Sequence, residues 1–180
     1  LPDFLTRYDP DSLRYMLSIN MPERSDSDFT WEEFVRRNND ELVATYGNLA
    51  NRVLTFTSRN FGGEVPAPGE LGPEDRAIIA RAEAAFDVVG KEIEGCHFRA
   101  GIAEAMEVAR EANRYLDAKA PWFQIKEDQQ AAATSVYTMI QVINSLKTLL
   151  YPYLPFSSQA LHEMLGFEGD LLGRQYIEEL

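Results

Sequence analysis

Residues 129–145 carry no charged side chain, and neither proline nor glycine interrupts them. A helix over such a stretch cannot turn a charged face to water, so other parts of the chain must cover most of its circumference. Its Gln, Thr, Ser and Asn residues make it too polar to cross a bilayer. The rest of the chain therefore has to supply packing partners.

The partners read as amphipathic helices. Asp9-Pro10-Asp11-Ser12 opens a short helix that runs to about Ile19 and is stopped by Asn20-Met21-Pro22. Thr30-Trp31-Glu32-Glu33 forms a capping box, the Thr30 hydroxyl serving an orphan amide and the Glu33 carboxylate reaching back. Nothing breaks the pattern before Gly62-Gly63, which predicts one long helix of roughly 30 residues, about 45 Å. The Gly- and Pro-rich stretch 62–72 is a loop. Pro73 then opens a third helix to about Glu94, with Ile78, Ile79, Ala82, Phe86, Val89 and Ile93 at helical spacing. A fourth runs from Phe98 to about Lys119 and ends at Ala120-Pro121, so Trp122 to Ile125 fall in a connection. The uncharged helix is the fifth, and 157–165 forms a short sixth that ends at Gly166. No alternation of period two lasts long enough for a strand. The expected fold is all-α, an up-and-down bundle of about five to six helices, with 1–30 as a joining segment, 31–165 as the bundle and 166–180 as a tail.

At 180 residues, 45% hydrophobic and 26% charged, the chain suits one globular domain and excludes wholesale disorder or a fibre. Cys96 is the only cysteine, so neither an internal disulfide nor a multi-cysteine zinc site is available, which points to a reducing compartment and the cytoplasm. No secretory signal is visible, and the chain begins at Leu1 without an initiator Met, as an excised piece would. The net charge of −12 argues against a polyanionic partner, yet it is unevenly spread. Residues 31–61 sum to zero and 98–126 to +1, while the remainder is acidic. A contact with nucleic acid would belong on those two segments.

Catalytic signatures are scarce. The two histidines, His97 and His162, supply one Glu-x-x-His unit, Glu94 to His97, where a di-iron bundle needs two. No phosphate-binding loop or His-Glu-x-x-His is present. No catalytic residue and no metal ligand is assigned.

Binding chemistry is better represented. On the long helix Val35, Leu42, Tyr46, Leu49, Val53 and Phe56 share one side, and Thr45, Asn48, Arg52, Thr55 and Arg59 form a separate polar stripe. Asn48 and Arg52, one turn apart, place an amide and a guanidinium together, a pair able to read the edge of an unstacked base, although a simply solvated stripe has the same pattern. Trp122, after Pro121, either anchors the core between helices or offers a stacking surface to a base.

Tyr46-Gly47-Asn48-Leu49-Ala50-Asn51-Arg52, Ala112-Asn113-Arg114-Tyr115-Leu116-Asp117 and Ala120-Pro121-Trp122 resemble the anticodon-binding domain of methionyl-tRNA synthetases, class I aminoacyl-tRNA synthetases. Tyr8 to Tyr15 and Asp28 to Trp31 resemble the stretch joining that domain to the catalytic core. The resemblance implies that Trp122 stacks on the first anticodon base, that Asn48 and Arg52 contact that base and its neighbours to select CAU, that Pro121 holds the indole, and that Asn51 and Asn113 support them. It further implies methionine tRNA and a catalytic domain of the same polypeptide as partners, no membrane, and ATP only for the catalytic part, with no cofactor in this chain. The Asn-x-Tyr and Pro-Trp elements are shared with leucyl, isoleucyl and valyl relatives, and an acidic helical protein-interaction module is the reading from another class.

Overall fold

The computed structural model describes residues 2–23 and 26–171. Among these residues the chain is helical without a strand: α1 (Pro2–Leu5), α2 (Pro10–Ile19), α3 (Trp31–Arg37), a π-helical segment (Asn38–Gly47), α4 (Asn48–Phe61), α5 (Pro73–Glu94), α6 (Phe98–Lys119), α7 (Pro121–Glu127), α8 (Gln129–Leu150) and α9 (Pro155–Met164). The expected all-α bundle is present, its six helices being α2, the stretch from α3 to α4, α5, α6, α8 and α9. Two details differ: the π segment divides the long second helix, and short helices α1 and α7 stand where connections are expected. Of the tail expected over 166–180, residues 172–180 lie outside the described residues.

Local chemistry sets the ends. Thr30 Oγ1 accepts from the Glu33 amide at 3.2 Å, and Asp128 Oδ1 accepts from the Ala131 amide at 3.0 Å. Each such cap is worth about 1 kcal/mol. The reciprocal half of the Thr30 box is absent: Glu33 bonds Arg36 and Arg37 at 2.8 and 2.7 Å instead, because a guanidinium is a stronger partner for a carboxylate than an amide. Those arginines, Arg36 first, hold the Glu33 carboxyl down at about 2.

The helix α8, uncharged from Gln129 to Ser145, is the centre. Val136, Met139, Ile143, Leu146 and Leu150 are buried in one cluster with Leu49 and Val53 of α4, Val89 of α5, and Ile102 and Met106 of α6. Burying side chains of this size contributes about 1.5–3 kcal/mol each. α5, α6 and α8 pack on one another, α4 closes against α6 and α8, and α7 lies on α8. The loop before α5 is tied to α8, the Gly69 amide donating to Thr134 Oγ1 at 2.9 Å.

The π segment alters the expected phase of the second helix. Phe34 is buried whereas Val35 is 52% exposed. Closing rings between residues five apart, rather than four, turns the upstream residues relative to the downstream ones. Tyr46, Leu49 and Val53 are buried as the spacing predicts. Phe86 of α5, expected on the inner face, is also exposed.

Candidate nucleic-acid interface

The sequence elements that stay neutral or slightly basic meet on one face, built by α4, the end of α6, and α7. Two devices of the chain fix it. The first is the left-handed turn at Ala120, with φ of 44°, which reverses the chain after α6. Pro121, buried, then occupies the first turn of α7, where its missing N–H costs nothing and its fixed φ suits a helix. Trp122 therefore lies on the first turn of a helix, not in an open connection. α7 is pinned from behind by Ser135 Oγ of α8, which donates to Gln124 Oε1 at 2.9 Å.

The second device is the π segment ahead of α4. Thr45 Oγ1 donates to the Asp40 carbonyl at 2.7 Å. Asn113 Nδ2 of α6 donates to the Thr45 and Ala109 carbonyls, both at 3.0 Å. A Cβ on Gly47 would stand 3.0 Å from the Leu42 carbonyl oxygen, so the wide turn favours glycine there. Asn113 thus holds the entry to α4 and does not face solvent as a reading group.

Arg52 and Trp122 come together. The Arg52 Cζ lies 4.8 Å from the centre of the indole, a cation–π distance. Asp117 of α6 holds the same guanidinium, with Nη2 to Oδ1 at 2.6 Å. Asp117 belongs to the Ala112 to Asp117 motif, but the sequence assigns it no role, because its partner lies 65 positions away, beyond any local pattern. Trp122 is half-buried against the edge of the core, so its ring both anchors and remains reachable. Asn48 is exposed one turn before Arg52. Asn51 is turned away from the indole, accepting from Thr55 Oγ1 at 3.3 Å. With Asn48, Leu54 and Thr55 it lines a groove of about 1200 Å³ whose opposite wall includes Ala160, Leu161 and Met164 of α9.

The support beneath is a polar knot around the buried Asp75. Tyr115 Oη donates to Asp75 Oδ1 at 2.6 Å, the Gly72 amide donates to Asp75 Oδ2 at 2.7 Å, and Lys119 Nζ pairs with Asp75 at 3.2 Å. It locks the last turn of α6 to the start of α5. Burial opposes ionisation of Asp75, but these donors outweigh it and hold the carboxyl below the usual range, while burial and Asp75 push the Tyr115 hydroxyl up.

Away from this face, His97 Nδ1 meets Glu92 at 3.1 Å and not Glu94. Among the described residues no group of three or more His, Cys, Asp or Glu is placed to hold a metal ion, and no helix is long and apolar enough to cross a membrane.

Residues 65–176 match the family model described as the anticodon binding domain of methionyl tRNA ligase. The chain belongs to that family. Residues 1–54 match a second model, tRNA synthetases class I (M). A methionine–tRNA ligase of Thermomicrobium roseum is 50% identical over 99% of this chain and 30% of its own length. One of Dehalococcoides mccartyi is 53% identical over 94% of this chain and 31% of its own. The solved Mycobacterium tuberculosis methionyl-tRNA synthetase in complex with methionyl-adenylate superposes with a TM-score of 0.85 at 28% identity, over 88% of this chain and 32% of that one. The chain thus spans about 30% of the length of the ligases it resembles. These relatives are methionyl enzymes, which disfavours the leucyl and isoleucyl alternatives and the protein-interaction module.

Proposed function

We propose that this chain is the part of a methionine–tRNA ligase that reads the anticodon of methionine tRNA. Trp122 stacks on the first base of CAU, and Asn48 and Arg52 bond its edge and its neighbours. The observation that carries the reading is the Arg52 guanidinium 4.8 Å from the indole of Trp122. An unstacked base requires a plane for its face and donors for its edge, and here the donors lie over the indole itself, where planar π groups are held. Asp117 takes one guanidinium donor and leaves others for the base. Pro121 sets the indole, Asn113 sets α4, and Asn51 lies one position from Arg52 on the groove side.

The remainder of the polypeptide carries the chemistry in this reading. A catalytic domain preceding residues 1–30 uses ATP to attach methionine to the tRNA whose anticodon this domain holds, and this chain alone neither binds ATP nor catalyses. Cytoplasmic location is part of the same proposal, supported by a single, exposed cysteine.

The test is a tryptophan-fluorescence titration at low salt with an anticodon stem-loop bearing CAU, and with the same loop carrying uracil at the first anticodon position. Quenching by the CAU loop that weakens with uracil and is lost in Trp122→Ala supports the proposal; the Ala variant should lose about 1–3 kcal/mol of binding. Equal binding by Trp122→Ala overturns it.

A further inference from the structure

Resting on the anticodon-reading proposal, we infer that Phe123 is a second nucleobase-stacking site, taking the base adjacent in the loop to the one on Trp122. Phe123 is 65% exposed, among the most exposed large apolar side chains of the chain. Its place explains why that exposure persists. α7 is fixed by Pro121 in the core and by Gln124 against Ser135, so Phe123 points outward while its backbone is held. The ring stands beside Trp122, centroids 6.4 Å apart and planes 64° from parallel.

That angle matters for the occupant. Two rings side by side and steeply inclined cannot both contact bases that remain stacked on each other. They can hold two neighbouring bases that have been splayed apart, which is how single-stranded loops present their faces to proteins. A cation borders each ring, Arg52 over Trp122 and the Lys126 ammonium 5.8 Å from the centre of Phe123. The segment 98–126, which carries both rings, has a net positive charge in an acidic chain. An RNA loop suits this charge, whereas an apolar partner helix would gain little from one phenyl ring flanked by ammonium and guanidinium groups.

The experiment measures affinity of the 180-residue chain for the CAU stem-loop, intact and with a single abasic site on either side of the first anticodon position, for the parent, Phe123→Ala, Phe123→Leu and Trp122→Ala. Phe123→Ala should weaken binding of the intact loop by about five- to a hundredfold. Phe123→Leu, apolar but without a ring face, should recover only part of it. One abasic site should weaken the parent to a similar extent and cost Phe123→Ala little more, which a merely structural role would not produce. If Trp122→Ala loses affinity while Phe123→Ala does not, or if both abasic sites add fully to Phe123→Ala, this inference fails and the anticodon reading stands. If the parent binds neither the intact loop nor any variant of it, both fail. Far-UV circular dichroism checks that each variant keeps the helical fold.

Discussion

Asp75 illustrates how a single carboxylate can position a distant surface. It is 4% exposed and accepts from Tyr115, the Gly72 amide and Lys119, so it joins two helices at the base of the reading face. Its folded pKa lies below that of an unfolded aspartate, about 3.9. The ionised group therefore stabilises the fold fully above that value, and the contribution fades as pH falls through the lower folded pKa. Asp75→Asn should destabilise the protein at pH 7 by about 1–3 kcal/mol, measured by urea unfolding, and the gap between parent and variant should narrow in acid. A gap that is constant from pH 7 to pH 2.5 would contradict this account. The sequence made Asp75 legible only as an acidic residue in a first helical turn. Its partners Tyr115 and Lys119 lie 40 or more positions away, and so does Asp117 from Arg52. Tertiary pairs of this kind have no periodicity to betray them. Asn48, Arg52 and Trp122 were legible because each belongs to a local motif.

Among the elements, the helix ends were readable because caps are local: Thr30, Pro73 and Gly166 sit where their chemistry predicts. The π segment was not, since no local pattern in Asn38–Gly47 marks a five-residue ring, and the donor to its Thr45 carbonyl comes from α6. α7 was missed because Pro121 can end one helix and begin the next, and only the left-handed Ala120 decides between them. Asn113→Ala removes the amide that bonds the Thr45 carbonyl, and should cost about 1–2 kcal/mol of stability. Hydrogen exchange should report where: amides of 43–50 should exchange faster in the variant, while those of α8 should change only with global stability. Unchanged exchange over 43–50 would mean that the π segment holds itself.

For the whole molecule, the distribution of charge decides what kind of RNA contact is possible. With a net charge of −12, and with Lys119 at the end of α6 already paired with Glu74 and Asp75 and Arg52 with Asp117, few phosphates can be neutralised. Binding of the CAU loop should show a shallow salt dependence, a slope of log K against log salt of about −1.5 to −2, corresponding to two or three phosphates at about −0.7 each for single strands. Titrations between 50 and 300 mM salt measure it, and a slope steeper than about −4 would show that a backbone-gripping surface exists elsewhere. Under the proposed function, acidity would serve selectivity by leaving base contacts to decide which loop is retained. The π segment has a counterpart at this scale. It stores surplus chain length, so a one-residue deletion between 38 and 47 is a loss that the helix can absorb by tightening to the α period. Tightening would then leave both ends in phase, because the slip of one position that buries Phe34 in place of Val35 goes with the extra residue, and Asn48 and Arg52 would stay by Trp122. The same deletion within α4, between Leu49 and Val53, meets no such reserve and turns the residues on its two sides by about 100° against each other.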